Sequence, residues 1–153
     1  MIYGDWEEAY DKLPALFNAI KEASPGMHYE SIPNLGEWRN RRQIFFRASW
    51  CFPQCVEAFR HCRLVLSIDG TFLLGKYMGT LLVAIVCDAD NTLILLAYAL
   101  VERENKDRWE WFFRNQCLSF HHNISVNSPM RLLLDIIMTV ENRGQNVRMV
   151  RIA

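Results

Sequence analysis

Three apolar runs, Leu64–Ile68, Thr80–Val86 and Leu93–Val101, are joined by connections too short to carry a crossover helix. Each run is rich in branched residues, the composition of strands, and Asp88-Ala89-Asp90-Asn91 is a turn cluster between the second and third. Parallel neighbours need links of a dozen residues or more, so antiparallel pairing is what such links permit. The sequence therefore predicts a three-stranded antiparallel meander. The second and third runs are almost continuously apolar, which predicts burial on both faces under covering helices.

Helical signals flank the meander. After Val101, Asn105 is placed to cap a helix, with Asp107 in its first turn where the helix dipole favours an acid. Trp109, Phe112 and Phe113 form its apolar face, and Glu110 and Arg114 are spaced as an (i, i+4) pair. Near the N-terminus, Trp6, Tyr10, Leu13, Phe17 and Ile20 recur at helical spacing up to the stop signal Ala23-Ser24-Pro25-Gly26. Pro14 predicts either a kink in that helix or a start at Asp11. Pro53 suits the first turn of a short helix.

The fold class read from these signals is mixed α/β (α+β): a meander followed by a helix, preceded by a helical and strand region. The boundaries fall at residues 1–62, 63–114 and 115–153. The last stretch has no clear period. It holds the apolar run Met130–Met138, interrupted by Asp135.

Composition removes several function classes. Lys and Arg balance Asp and Glu, 17 against 17, so the surface as a whole is not that of a strong free-standing nucleic-acid binder. No apolar run is long enough to cross a membrane, and Met1–Tyr10 lacks the layout of a secretory signal. Five cysteines in mostly apolar surroundings fit reduced thiols better than a disulfide framework. Cys51, Cys55, His61 and Cys62 match no common zinc-finger spacing, and buried thiols are the favoured reading.

Between Trp38 and Cys62, basic residues alternate with aromatics: Arg39, Arg41, Arg42 and Arg47 among Trp38, Phe45, Phe46 and Trp50. That mixture can grip phosphates and stack on bases. The favoured reading is plainer, a strand from Gln43 to Trp50 whose aromatics face the core and whose arginines are solvated.

The residue with the sharpest chemical reading is Asp69. It follows the first apolar run and precedes Gly70 and Thr71, so it is expected at a strand tip where the chain turns. Around it stand Ser67-Ile68-Asp69-Gly70-Thr71-Phe72-Leu73-Leu74-Gly75-Lys76-Tyr77-Met78-Gly79-Thr80-Leu81-Leu82-Val83-Ala84. Two further blocks are Ala97-Tyr98-Ala99-Leu100-Val101-Glu102-Arg103-Glu104-Asn105-Lys106 and Trp109-Glu110-Trp111-Phe112. In order and spacing these resemble the start of the catalytic domain of plant Mutator-like element (MULE) transposases, over residues 3–114.

The resemblance implies a ribonuclease-H-like fold, of which residues 63–114 are the opening part. It also implies metal-dependent DNA cutting and joining by two Asp and one Glu, with Mg²⁺ or Mn²⁺ as cofactor. Two such ions activate the attacking oxygen and stabilise the leaving one, and hard cations require carboxylate oxygens. Asp69 matches the family's first acid and first metal ligand. The implied partner is transposon-end DNA, with Arg39, Arg41, Arg42, Arg47 and Lys76 as the residues for its phosphates. The implied location is the nucleus rather than a membrane or the exterior.

The later part of the family pattern does not follow. Asp135 is the one candidate second acid, and its favoured reading is an ordinary polar residue in an apolar segment. No third Glu stands in family context. Residues 147–153 resemble family sequence expected soon after Arg114, so residues 115 to about 146 read as foreign, such as a retained intron. The expectation is a fragment without cleavage or strand-transfer activity; the alternative is a non-catalytic DNA-binding or protein-interaction module. An unpaired first strand would also invite self-association.

Overall fold

The computed structural model describes residues 6–39, 42–63, 65–74, 79–121 and 149–151. Helix α1 (Trp6–Ala23) runs through Pro14, the longer of the two expected arrangements. Gly26 follows with a φ of +90°, a backbone conformation open chiefly to glycine. Two long strands come next, β1 (His28–Arg39) and β2 (Arg42–Cys51). The short helix α2 (Pro53–Phe59) carries proline in its first turn, as expected. The meander is β3 (Val65–Leu73), β4 (Gly79–Cys87) and β5 (Leu93–Val101). Helix α3 (Lys106–His121) and the three-residue strand β6 (Met149–Arg151) complete the described elements.

The strands form one sheet in the order β1-β2-β5-β4-β3-β6, with every described pair antiparallel. The mixed α/β class and the antiparallel meander are as the sequence predicts. Strand β1 has no counterpart among those expectations. Pro33 and the stretch between Asn34 and Trp38 break its pattern, and the structure absorbs both as register shifts against β2.

The turn between β4 and β5 is built by Asp88. Its Oδ1 accepts the amides of Asp90 (2.9 Å) and Thr92 (2.8 Å), while Asn91 takes a positive φ of 64°. Asn105 caps α3 as predicted, its Oδ1 accepting the Arg108 amide at 3.0 Å. Glu110 makes its ion pair with Lys106, at 3.6 Å.

Register assigns the two faces of the sheet, because directly opposed residues of antiparallel strands project to the same side. Tyr29 opposes Trp50, Trp50 opposes Tyr98, Tyr98 opposes Val83, and Val83 opposes Asp69. That row crosses one face, and α1 lies over its β1–β2 end. Phe17 stacks on Tyr29 at 4.6 Å and tilts against Trp50 at 4.8 Å, and Trp50 stacks on Tyr98 at 5.5 Å.

The adjacent row, Ser49–Ala99–Leu82–Gly70, crosses the other face. Here α3 packs: Asn115 Nδ2 donates to Ser49 Oγ at 3.3 Å. Val56 and Phe59 of α2 and Trp109, Phe112 and Phe113 of α3 join Leu66, Ile68, Leu82, Ala84 and Val86 in the main core. Each large side chain fully buried there contributes about 1.5–3 kcal/mol. Alternate residues of β4 are buried on this face and half-buried on the other, so the expected double burial is complete on one side only.

Candidate functional site

Asp69 is not at a strand tip. It is the fifth residue of the nine in β3, and the strand continues through Gly70, Thr71, Phe72 and Leu73. These pair in unbroken register with Leu82, Leu81, Thr80 and Gly79. The apolar partner strand β4 overrides the turn preference of Asp-Gly. Asp69 is exposed, and its Oδ1 accepts the Gly70 amide at 2.9 Å.

Two acids, Glu102 and Glu104, lie in the loop between β5 and α3. Each has a defined partner. Glu102 pairs with Arg47 Nη2 at 3.4 Å and with Arg108 Nε. Glu104 Oε1 accepts the indole N–H of Trp109 at 3.1 Å. Its carboxylate lies against Gly70: a β carbon placed there would sit 2.8 Å from Oε2 and 2.9 Å from Cδ. A signal for this contact exists in the sequence, since glycine inside a strand marks close approach of another group.

Arg47 also departs from the solvated arginine expected of it. It is 8% exposed, and its guanidinium lies 5.4 Å from the Trp111 ring centroid. Burial lowers its pKa, with Glu102 opposing and Arg108 adding to that shift. A phosphate would have to compete with Glu102 for this guanidinium. Arg39 and Arg42 face each other across β1 and β2, where backbone alone is described. Arg41, Lys76 and Asp135 lie outside the described residues.

The thiols are placed as packing groups. Cys51 is buried, and Cys55, Cys62 and Cys87 are half-buried and free. Burial pushes the Cys55 and Cys62 thiols up in pKa, and Cys62 Sγ donates to the Ala58 carbonyl at 3.2 Å. Raised thiols are poor nucleophiles and poor metal ligands.

A family model for the MULE transposase domain matches residues 65–147, more than half of the chain. The chain belongs to the MULE transposase family. The matched span opens at the first residue of β3, includes the whole meander and α3, and runs on through residues 115–146 and Asp135. No curated protein and no solved structure matches the chain. Asp69 stands on β3, the first strand of the matched span.

As a candidate MULE site, the geometry brings together exposed Asp69, the glycine beside it, and Glu104, also exposed, paired with Trp109 behind that glycine. Asp69 suits one position in a divalent-cation shell, since it is an exposed hard oxygen donor. Among the described residues no group of three His, Cys, Asp or Glu side chains is arranged to hold a metal.

Proposed function

We propose that this chain is part of a DNA-cutting and DNA-joining transposase core, in which Asp69 is one of the acids that hold Mg²⁺ or Mn²⁺. The observation that carries this reading is the exposed Asp69 carboxylate on the first strand of the matched span. Its face also holds the half-buried Val83 and the aromatic row from Tyr98 to Tyr29. The metal, when bound, would supply Lewis-acid stabilisation of charge on phosphate oxygens. Asp69 would contribute one carboxylate to it, and a single carboxylate does not hold two ions. The reading therefore has the chain contacting DNA without cutting it. The DNA of a transposase lies in the nucleus, which is the proposed location; no described helix is long and apolar enough to cross a membrane.

A second reading, a non-catalytic interaction module, is favoured by one observation. Phe72, further along β3, and Leu74, just past its end, are 70% and 96% exposed. Such side chains suit a macromolecular contact.

Plasmid nicking tests the proposal, with the purified full chain, Mg²⁺ or Mn²⁺, and Asp69→Ala as control. No nicking is expected from either protein. Metal-dependent nicking that disappears in Asp69→Ala would show a complete active site and overturn the inactive-fragment part. Fluorescence anisotropy with duplex DNA should show binding that weakens steeply with salt. No binding at low salt would overturn the DNA-contacting part.

A further inference from the structure

We infer that Glu104, held by Trp109, is a positioning residue for Asp69 and acts through Gly70. The inference rests on the reading of Asp69 as a functional acid. Trp109 is anchored in the main core, buried, stacked on Phe113 at 5.7 Å and edge-on to Phe112 at 5.8 Å. From that fixed point its indole N–H donates to Glu104 Oε1 at 3.1 Å. The carboxylate so held lies against the α carbon of Gly70, where a β carbon would meet Oε2 at 2.8 Å, Cδ at 2.9 Å and Oε1 at 3.3 Å. The amide of the same glycine donates to Asp69 Oδ1 at 2.9 Å.

Gly70 is thus held between two carboxylates, one at its α carbon and one at its amide. The two acids do not share a ligand. Strand alternation turns Asp69 toward the Val83–Tyr98 row and position 70 toward the Leu82–Ala99 row, on opposite faces of the sheet. Glu104 restrains the backbone from which Asp69 projects. Glycine inside a strand is ordinarily weaker than alanine. At position 70 an alanine methyl would meet the exposed end of the flexible Glu104 side chain, which can swing aside at little cost beyond its bond to the indole; losing that bond is what reverses the order.

The reversal gives the test. The full chain is melted with Gly70→Ala, Glu104→Ala and both, and ¹H–¹⁵N spectra are recorded for each. Gly70→Ala alone should lower Tm by roughly 2–5 °C, the loss of one charge-assisted hydrogen bond in a chain of this size. In the Glu104→Ala background the same substitution should leave Tm unchanged or raise it. Glu104→Ala and Trp109→Phe should each move the Gly70 amide resonance, which reports the bond to Asp69. Glu104→Gln keeps an acceptor for the indole and should leave that resonance in place.

Equal Tm losses from Gly70→Ala in both backgrounds would overturn the inference. So would a Gly70 resonance unmoved by both Glu104→Ala and Trp109→Phe, and this reading stands even where Gly70→Ala fails to fold. Mn²⁺ broadening of the Asp69 signals in the unsubstituted chain is read separately. Its absence would remove the metal-binding role of Asp69 and leave the Gly70–Glu104 coupling in place.

Discussion

Arg47 and Glu102, 55 residues apart in sequence, meet at 3.4 Å where β2 passes beside the end of β5. Their side chains are 10% and 23% exposed, and Arg108 shares the same carboxylate. Removing the carboxylate leaves two guanidinium groups facing each other with little water. Glu102→Ala should therefore cost about 2–3 kcal/mol, less than the 3–5 kcal/mol of a fully buried pair because Glu102 keeps some solvent. Urea denaturation measures this; a loss under about 0.5 kcal/mol would mean that the pair behaves as a solvated surface contact.

Asp69 should behave in the opposite way. It is exposed, and its one described hydrogen bond is to the adjacent amide, which can turn to water when the carboxylate is removed. Asp69→Ala should shift stability by no more than about 0.5 kcal/mol in a thermal melt. A loss above about 2 kcal/mol would make it a structural acid and weaken the case for function.

Self-association should be measurable. Among the described residues, β6 pairs with β3 only at Val65, Leu66 and Ser67, while β4 pairs along nearly the whole strand. Phe72 and Leu74 lie beyond the residues paired with β6, 70% and 96% exposed. Light scattering should show concentration-dependent association, and Phe72→Lys with Leu74→Lys should weaken it on the order of tenfold, since charge on an exposed strand blocks pairing. A monodisperse monomer at high concentration, unchanged by these substitutions, would contradict this.

Acid should weaken the fold through His28. Burial lowers its pKa, with Glu30 opposing and Lys21 adding to the effect. The unfolded chain then binds a proton more readily than the folded one, so stability falls as pH drops below about 6.5 and levels off below the folded value. Melts from pH 8 to pH 5 should show this loss, and His28→Gln should flatten it. An unchanged slope in the variant would assign the acid sensitivity elsewhere.

The meander was readable because its three runs carry their own pattern. β5 falls at Leu93–Val101 as read, and β4 extends the expected run by one residue at each end. The capped start of α3 was equally plain, since Asn105 acts within one helical turn. Strand β1 was not readable: Pro33 and Gly36 argue against a strand, and only pairing with β2 holds it. Likewise Asp-Gly at 69–70 signals a turn locally, and it takes the register of β4 to keep it extended. Arg47 looked solvated because its partner, Glu102, is remote in sequence. The proposed role of Asp69 comes from its neighbours in sequence, whereas the contact of Glu104 with Gly70 depends on where the loop after β5 returns to β3.

Among the described residues β3 borders β4 along its length but β6 at only three positions, which has a consequence for exchange with solvent. Amides of β4, enclosed by strands on both sides, should open only when most of the protein does, whereas those of β3 beyond Ser67 should open at far smaller free energies. That portion of backbone, which bears Asp69, can then open locally or pair with another chain while β1, β2 and β5 stay folded.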